Sequence, residues 1–442
     1  MKNAIGIRKE TKDNTQRRAP LAPDHVRELI RRYDMRVFVE PWSRRVFSDR
    51  EYKDAGAVLT TRLDRCNIVF GVKEIDRAYM KDGMPYCFFS HTIKGQSYNM
   101  PMLQHIIDHD VTLFDYELVR GEDGKRLIFF GDFAGYAGMI DSLWALGRRL
   151  DWEGIANPFS RIRYASHYDS LRDAQEEITE VGEVIRHDGL PAEVVPFICA
   201  FTGYGRVATG AQEVFDLLPT VELEPDELES FVRSGRYSDR VLYSVRFRKP
   251  DMFRPRRSGR RFDADHFQKH PETYINQFER HVPHLTMIIN GIYWEPRFPR
   301  LLTKRYVKAL YRRDRHPRLR VIGDITCDID GSMELTVKET DVTNPVFVYD
   351  PVTGNVRDGW EGRGPVVLAV DKLPAELPRE ASESFGNALM PFVHDLATAR
   401  FSRTGSDLAI PAEFRDAMIV HRGVLQPQFS HLKEFLPRRA RS

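Results

Sequence analysis

Residues 194–208 read VVPFICAFTGYGRVA. From Val194 to Phe201 the run is almost wholly apolar, as expected of a parallel strand buried on both faces. Beyond the break at 202–205, Val207, Ala211, Val214 and Phe215 share one face of a helix. Gly203-Tyr204-Gly205-Arg206-Val207-Ala208 therefore places Gly-x-Gly-x-x-Ala between a strand and a helix, the layout of a dinucleotide fingerprint. The first glycine permits the tight turn. The second lets backbone approach a pyrophosphate, whose charge meets the helix N-terminus. The competing reading is a tight strand–helix turn that binds nothing. A cofactor with a free ribose 2′-hydroxyl calls for an acid about 20 positions on; Glu222 and Glu224 lie there, within an acidic run that ends at Glu229. A 2′-phosphate calls for arginine, and Arg206, Arg246 and Arg248 are available. These residues barely separate NAD from NADP.

The same alternation runs upstream. Strand-like segments at 4–8 (AIGIR), 35–40 (MRVFVE), 68–72 (IVFGV), 86–90 (YCFFS) and 111–116 (VTLFDY) are interleaved with helical patterns at 23–33 and 48–56. Downstream, 285–289 (LTMII) and 319–323 (LRVIG) continue it. Short apolar runs alternating with helices predict an α/β chain with doubly wound parallel sheets. Its 442 residues are about three times a ~150-residue domain, so two domains are the first expectation. The tail from about 345 is irregular and rich in proline before a helical stretch at 383–397. The expected division is 1–145 plus 345–442 for one domain and 146–344 for the dinucleotide-binding one. Residues 246–261, with eight basic residues and one acid, predict an exposed loop. Residues 304–320 predict a basic surface helix carrying a Val307/Leu310/Tyr311 stripe.

Composition narrows the function. Hydrophobic residues at 42% and charged residues at 29% exclude wholesale disorder. Lys+Arg minus Asp+Glu is 66 − 64 = +2, which gives no general drive toward nucleic acid or membrane. No apolar run approaches the ~20 residues of a spanning helix, and the N-terminal segment lacks the apolar core of a secretory signal. The four cysteines are widely spaced without Cys-x-x-Cys, so neither a disulfide framework nor a metal site is expected, and a cytoplasmic setting fits. RNA binding through 246–261 would need interleaved stacking aromatics, and only Phe247 and Phe253 are there.

Four polar residues follow predicted strands: Arg18 after the first, Lys73 after 68–72, His91 after 86–90 and Glu117 after 111–116. In open α/β sheets ligands bind outside the carboxyl ends of the strands, so these groups are expected to converge. Each has a blander alternative. Lys73 could be a solvated lysine, His91 a satisfied core histidine, Glu117 a surface ion-pair partner and Arg18 a bystander. A Lys/His pair without a cysteine nucleophile or metal-ligand spacing suits proton transfer, and arginine suits substrate carboxylates.

The segments IGIRKETKDNTQRRAPLAPDHVREL, FGVKEI, FFSHTIKGQSYNMPML, TLFDYELVRGEDGKRLIFFGDFAGYAGMID, FTGYGRVATGAQEVF, IINGIYWEPRFPRLLT and GDITCDIDGSMEL, in that order, resemble the lysine-ketoglutarate reductase half of the bifunctional aminoadipic semialdehyde synthases. More distantly they resemble lysine-forming saccharopine dehydrogenases and the alanine dehydrogenase/transhydrogenase N-terminal fold. The resemblance implies two Rossmann-like domains around an active-site cleft. It implies condensation of L-lysine with 2-oxoglutarate and reduction of the imine to saccharopine, or the reverse. By the same resemblance Lys73 and His91 are the acid–base pair, and Arg18 and Arg126 hold substrate carboxylates. Glu74 and Glu117 tune Lys73 and receive the substrate ammonium, and Asp324 lines the cleft. Gly203, Tyr204, Gly205, Arg206 and Val207 would cradle the pyrophosphate, with Asn290, Gly291 and Ile292 at the cofactor edge. NADP is favoured over NAD. A related amino-acid dehydrogenase or reductive aminase acting on another amine is the alternative.

Overall fold

The computed structural model describes residues 3–12, 15–257, 259–314, 316–404 and 407–437. Ser258 and Arg315 of the two basic stretches, and 405, 406 and 438–442 of the tail, lie outside the described residues. The chain divides into two compact units, Met1–Phe130 with Pro378–Ser442, and Gly131–Leu377.

The first unit opens with strands β1 (Ala4–Ile7), β2 (Arg36–Val39), β3 (Val58–Leu59), β4 (Ile68–Phe70), β5 (Pro85–Phe88) and β6 (Thr112–Asp115). They lie parallel in the order β3-β2-β1-β4-β5-β6. This is the standard doubly wound order, and the direction of winding reverses between β1 and β4. β1, β4, β5 and β6 are buried along their full length, which explains their continuous apolar runs. The helix Pro23–Tyr33 buries Val26 and Leu29, with Asp24 in its first turn and Arg31 and Arg32 in its last, each sign matched to the helix dipole.

The second unit holds β7 (Ile198–Thr202), β8 (Thr220–Leu223), β9 (Leu242–Phe247), a small ribbon of β10 (Phe253–Pro255) and β11 (Tyr274–Asn276), then β12 (Met287–Asn290), β13 (Val321–Asp324), β14 (Val346–Tyr349), β15 (Val356–Asp358) and β16 (Val366–Leu368). Its main sheet runs β15-β14-β16-β13-β12-β7-β9-β8. The six strands from β16 to β8 are parallel, and β14 and β15 add antiparallel. Here the third strand, β9, pairs with the first, β7, and the second, β8, is displaced to the edge. The chain then returns to the first sheet, where β17 (Met418–His421) runs antiparallel to β6 and β18 (Val424–Leu425) closes the edge.

Three expectations change. Residues 345–377 belong to the second unit, because β16 completes the parallel sheet beside β13 and carries β14 with it. Residues 131–145 also belong there, as the first part of one continuous helix, Gly131–Trp152. The 246–261 stretch is not a plain loop. It begins in β9, makes a short turn of helix at Lys249–Met252 and enters β10. The 304–320 stretch does contain a helix, Lys304–Arg313, which buries Val307, Leu310 and Tyr311. No helix among the described residues is long and apolar enough to cross a membrane.

Candidate active site

In the first unit the polar residues gather at the carboxyl ends of β1, β4, β5 and β6, around the point where the winding reverses. Glu74 is the hub. Its Oε1 accepts from Nδ1 of His91 at 2.7 Å, Nζ of Lys12 at 2.6 Å and Nδ2 of Asn99 at 3.3 Å. Burial opposes the charge of Glu74, yet the hydrogen bonds from His91 and Lys12 outweigh it and bring its carboxyl down to about 2. Lys73 stands next to Glu74, and its own position is set by a buried acid. Glu10 is 6% exposed and accepts the backbone N–H of Val72 at 2.7 Å and of Lys73 at 2.9 Å. Burial pushes Glu10 up to about 7, against those two N–H groups and the nearby Arg18.

His91 sits in the left-handed region at φ 48°, unusual for a residue with a side chain. The turn is fixed by Asp115 at the end of β6. Asp115 accepts from Ser90 N at 3.0 Å and Ser90 Oγ at 2.5 Å, and its other oxygen accepts from Glu117 N at 2.8 Å. One buried carboxylate thus ties the His91 turn to the Glu117 turn; burial raises it to about 6 despite the Ser90 bond. Arg18 is 3% exposed, donates from Nε to Gln16 at 2.8 Å and lies 4.2 Å above the Phe130 ring. Phe130 in turn meets Phe89, whose ring stacks toward His91. Arg126 and Glu117 neutralise one another in an ion pair.

The structure therefore brings Glu74 and His91 into direct contact, with Lys73 and Arg18 anchored around them. It pairs Glu117 with Arg126. Lys12 was not anticipated. It lies in a polar loop with no periodic signal, and its one clue is position, in the loop that follows β1 and carries Arg18.

In the second unit Gly203 follows β7 with φ 96°, and Gly205 caps the helix Arg206–Phe215 without any side-chain cap. A Cβ on Gly203 would press on Ile292 at 3.1 Å and the Gly291 carbonyl at 3.2 Å; a Cβ on Gly205 would meet nothing within 4 Å. The turn is thus closed on its protein side and open where a phosphate would approach. Beside it lies a cavity of about 310 Å³ lined by Gly203–Gly205, Lys249, Phe267 and Gly291–Trp294. These features fit a dinucleotide, with phosphates over the open helix end and an aromatic base against apolar walls.

The other residues expected here act differently from one another. Asn290 is fully buried and donates to Asp324 at 2.8 Å, Ser332 at 2.8 Å and Thr326 at 3.1 Å, while accepting from Thr202 at 2.7 Å. Asp324 is 1% exposed and also accepts from Thr326 and Thr336. Both hold the strand ends rather than line an open surface. Arg206 is engaged by Asp132 through Nε at 2.9 Å and through Nη2, and Arg246 pairs with Glu222 on edge strand β8. Glu222 is thus not on the strand beside β7. That strand is β9, and Arg248 and Lys249 follow directly after its last residue, Phe247.

A family model for the alanine dehydrogenase/PNT N-terminal domain matches residues 6–137. Alpha-aminoadipic semialdehyde synthase of Arabidopsis thaliana is 37% identical over 99% of this chain and 42% of that protein. The mitochondrial alpha-aminoadipic semialdehyde synthase of Rattus norvegicus is 32% identical over 100% of this chain and 48% of that protein. The chain spans less than half the length of these two relatives. The NAD(+), L-lysine-forming saccharopine dehydrogenase of Neurospora crassa is 25% identical over 88% of this chain and 89% of that one. Among solved structures, an L-alanine dehydrogenase matches with TM-score 0.62 at 19% identity, covering 98% of this chain and 100% of that one. The Sinorhizobium meliloti transhydrogenase matches with TM-score 0.55 at 13% identity, over 96% of this chain and 99% of that one. Both share the fold, two Rossmann-type domains.

Proposed function

We propose that this chain, a homologue of the aminoadipic semialdehyde synthases and lysine-forming saccharopine dehydrogenases, joins the ε-amine of L-lysine to the keto carbon of 2-oxoglutarate and reduces the imine to saccharopine, or runs the reverse. The observation that carries this reading is the Lys12–Glu74–His91 hub next to Lys73, set at the switch point of the first unit's sheet. The reading assigns the substrates to the first unit and the pyridine nucleotide to the second.

Amine attack on a ketone gives a carbinolamine, which must lose water to become an imine. The attacking amine must be neutral, and the departing hydroxyl must gain a proton. Lys73 and His91 are assigned to these transfers. With Nδ1 of His91 engaged by Glu74, Nε2 is the ring atom that takes or gives a proton. Arg18, buried over Phe130, is assigned a substrate carboxylate. The Glu117–Arg126 pair offers a carboxylate for the substrate ammonium and a guanidinium for a further carboxylate. When bound, the reduced pyridine nucleotide supplies hydride to the imine carbon.

NADP is the favoured cofactor. The strand beside the fingerprint is followed directly by Arg248 and Lys249, where a ribose 2′-hydroxyl would call for an acid. The four buried, unlinked cysteines suit a reducing compartment, whether cytoplasmic or mitochondrial as in the rat relative's name. The test follows NADPH or NADH fluorescence with lysine and 2-oxoglutarate. Consumption only when both are present is the expected result. Consumption with 2-oxoglutarate and a different amine, but not with lysine, would transfer the reading to another reductive aminase.

A further inference from the structure

The second unit carries a cavity of about 770 Å³ at the opposite end of its sheet from the fingerprint turn. Arg320, which leads into β13, and Gly364, which leads toward β16, both line it, so it lies at the amino ends of those strands. Gly203 and Asn290 stand at the carboxyl ends of β7 and β12 and take no part in it.

Three guanidinium groups face this space. The Arg149 side chain is only 8% exposed and is held rigidly: Nε donates to Oε1 of Glu153 at 2.7 Å, and Nη1 to the carbonyls of Trp360 at 3.0 Å and Gly362 at 2.9 Å. Arg320 donates from Nε to the other oxygen of the same Glu153 at 2.9 Å and from Nη1 to the carbonyl of Pro317. Arg363 donates from Nη2 to the carbonyl of Tyr311 at 3.0 Å. After these bonds, Nη2 of Arg149, Nη2 of Arg320 and Nε and Nη1 of Arg363 have no protein acceptor among the described residues. One carboxylate serves two cations, and the third has only a carbonyl. Arg363 and Glu193 border the cavity at its exposed rim, where solvent screens both. Glu153 balances one of the two withdrawn guanidiniums, Arg149 and Arg320, so one positive charge is left over, around the buried ring of Tyr311 and beside Trp152, which lies 4.8 Å under the Arg149 guanidinium.

Cations withdrawn from water are costly unless an anion accompanies them, and guanidinium forks match phosphate and carboxylate oxygens in pairs. We infer that this cavity is a binding site for a small anion, a phosphate or a dicarboxylate, separate from the residues assigned to substrate and cofactor. The inference does not depend on the proposed reaction.

Isothermal titration of the full chain with inorganic phosphate and, separately, with succinate tests it, in the wild type and in an Arg320→Gln/Arg363→Gln double variant. At least one anion should bind the wild type, with a Kd at least about tenfold higher in the double variant. The same titrations on Gly205→Val and Arg18→Gln should retain binding, which separates this cavity from the phosphate turn and from the carboxylate site. Binding of phosphate alone identifies a phosphate ligand, and binding of succinate alone a dicarboxylate; either supports the site. Equal affinity in wild type and double variant, loss of binding in Gly205→Val or Arg18→Gln instead, or no binding of either anion overturns it. Should the double variant fail to fold by circular dichroism, Arg363→Gln, which removes a single bond to a carbonyl, provides the same comparison.

Discussion

Glu74 grips Nδ1 of His91 at 2.7 Å, and His91 makes that contact from a left-handed backbone at φ 48°. The strain at one residue and the charge at the other belong to one arrangement. Asp115 holds the turn in its unfavourable conformation, and Glu74 uses the side chain so presented.

Lys73→Met keeps the apolar stem and removes the proton-carrying amine. Turnover in the lysine plus 2-oxoglutarate assay should fall by roughly 10²–10⁴. His91→Gln should cost a similar factor, and the double variant less than the product of the two, because groups acting as a unit are not additive. Near-normal turnover and an unchanged pH profile in both single variants would make these residues structural.

Glu74→Gln removes the charge that Lys12 and His91 share. Turnover should drop, and stability should respond to pH in a defined direction. The Glu74 carboxyl is depressed to about 2 from 4.5, so its stabilisation is full above pH 4.5 and is lost as pH falls toward 2. Urea midpoints of wild type and variant should therefore differ most above pH 4.5 and converge on acidification. A constant difference across that range would show that the charge is not what matters.

Glu10 has the opposite sign. Its carboxyl is raised to about 7 from 4.5, so the contribution is most favourable below pH 4.5 and declines as pH climbs through 7. A shift of that size corresponds to something on the order of 3 kcal/mol. Glu10→Gln should flatten this limb of the stability curve. An identical slope in wild type and variant would place the titration elsewhere.

Gly205→Val should abolish measurable binding of NADPH and NADH while circular dichroism stays that of the wild type. The Cβ position is empty of protein, so folding tolerates the side chain, and a β-branched group then occupies the phosphate approach. Undiminished cofactor affinity in the folded variant would remove the fingerprint assignment.

Arg248→Ala/Lys249→Glu should raise the KM for NADPH at least tenfold, about 1.4 kcal/mol, with a far smaller effect on NADH. Parallel changes for both cofactors would mean that the end of β9 does not read the 2′-phosphate.

Much of this architecture is written locally. IVF, PYCF and ICAFT are buried on both faces, and uninterrupted apolar runs of that kind announce internal parallel strands. Lys73, His91 and Glu117 were visible because each directly follows such a run. Lys12 was not, since a lysine in a polar loop carries no pattern and finds Glu74 only across 62 positions of chain. The order of β8 and β9 was missed for a related reason. Pairing between strands is a tertiary choice, and a spacing of about 20 residues along the chain points to Glu222, which stands on β8. The two strands are alike locally, since TVEL carries Glu222 and LYSVRF carries Ser244 and Arg246, yet the first is largely exposed at the edge and the second largely buried inside. The tail strands β14 and β16 were hidden by their brevity among prolines and glycines.

The helix Gly131–Trp152 runs against the helix Arg206–Phe215 through Gly135 and Gly210, where backbone nearly touches backbone. A Cβ on Gly210 would come within 2.5 Å of the Asp132 carbonyl, and one on Gly135 would collide with the carbonyl of Val207. The aim of the phosphate-facing helix is therefore inherited from a segment some seventy residues upstream. A single methyl group at Gly135, outside the fingerprint itself, would act as a wedge that tilts the helix mouth. It would imitate a cofactor-binding defect with every residue of the fingerprint intact.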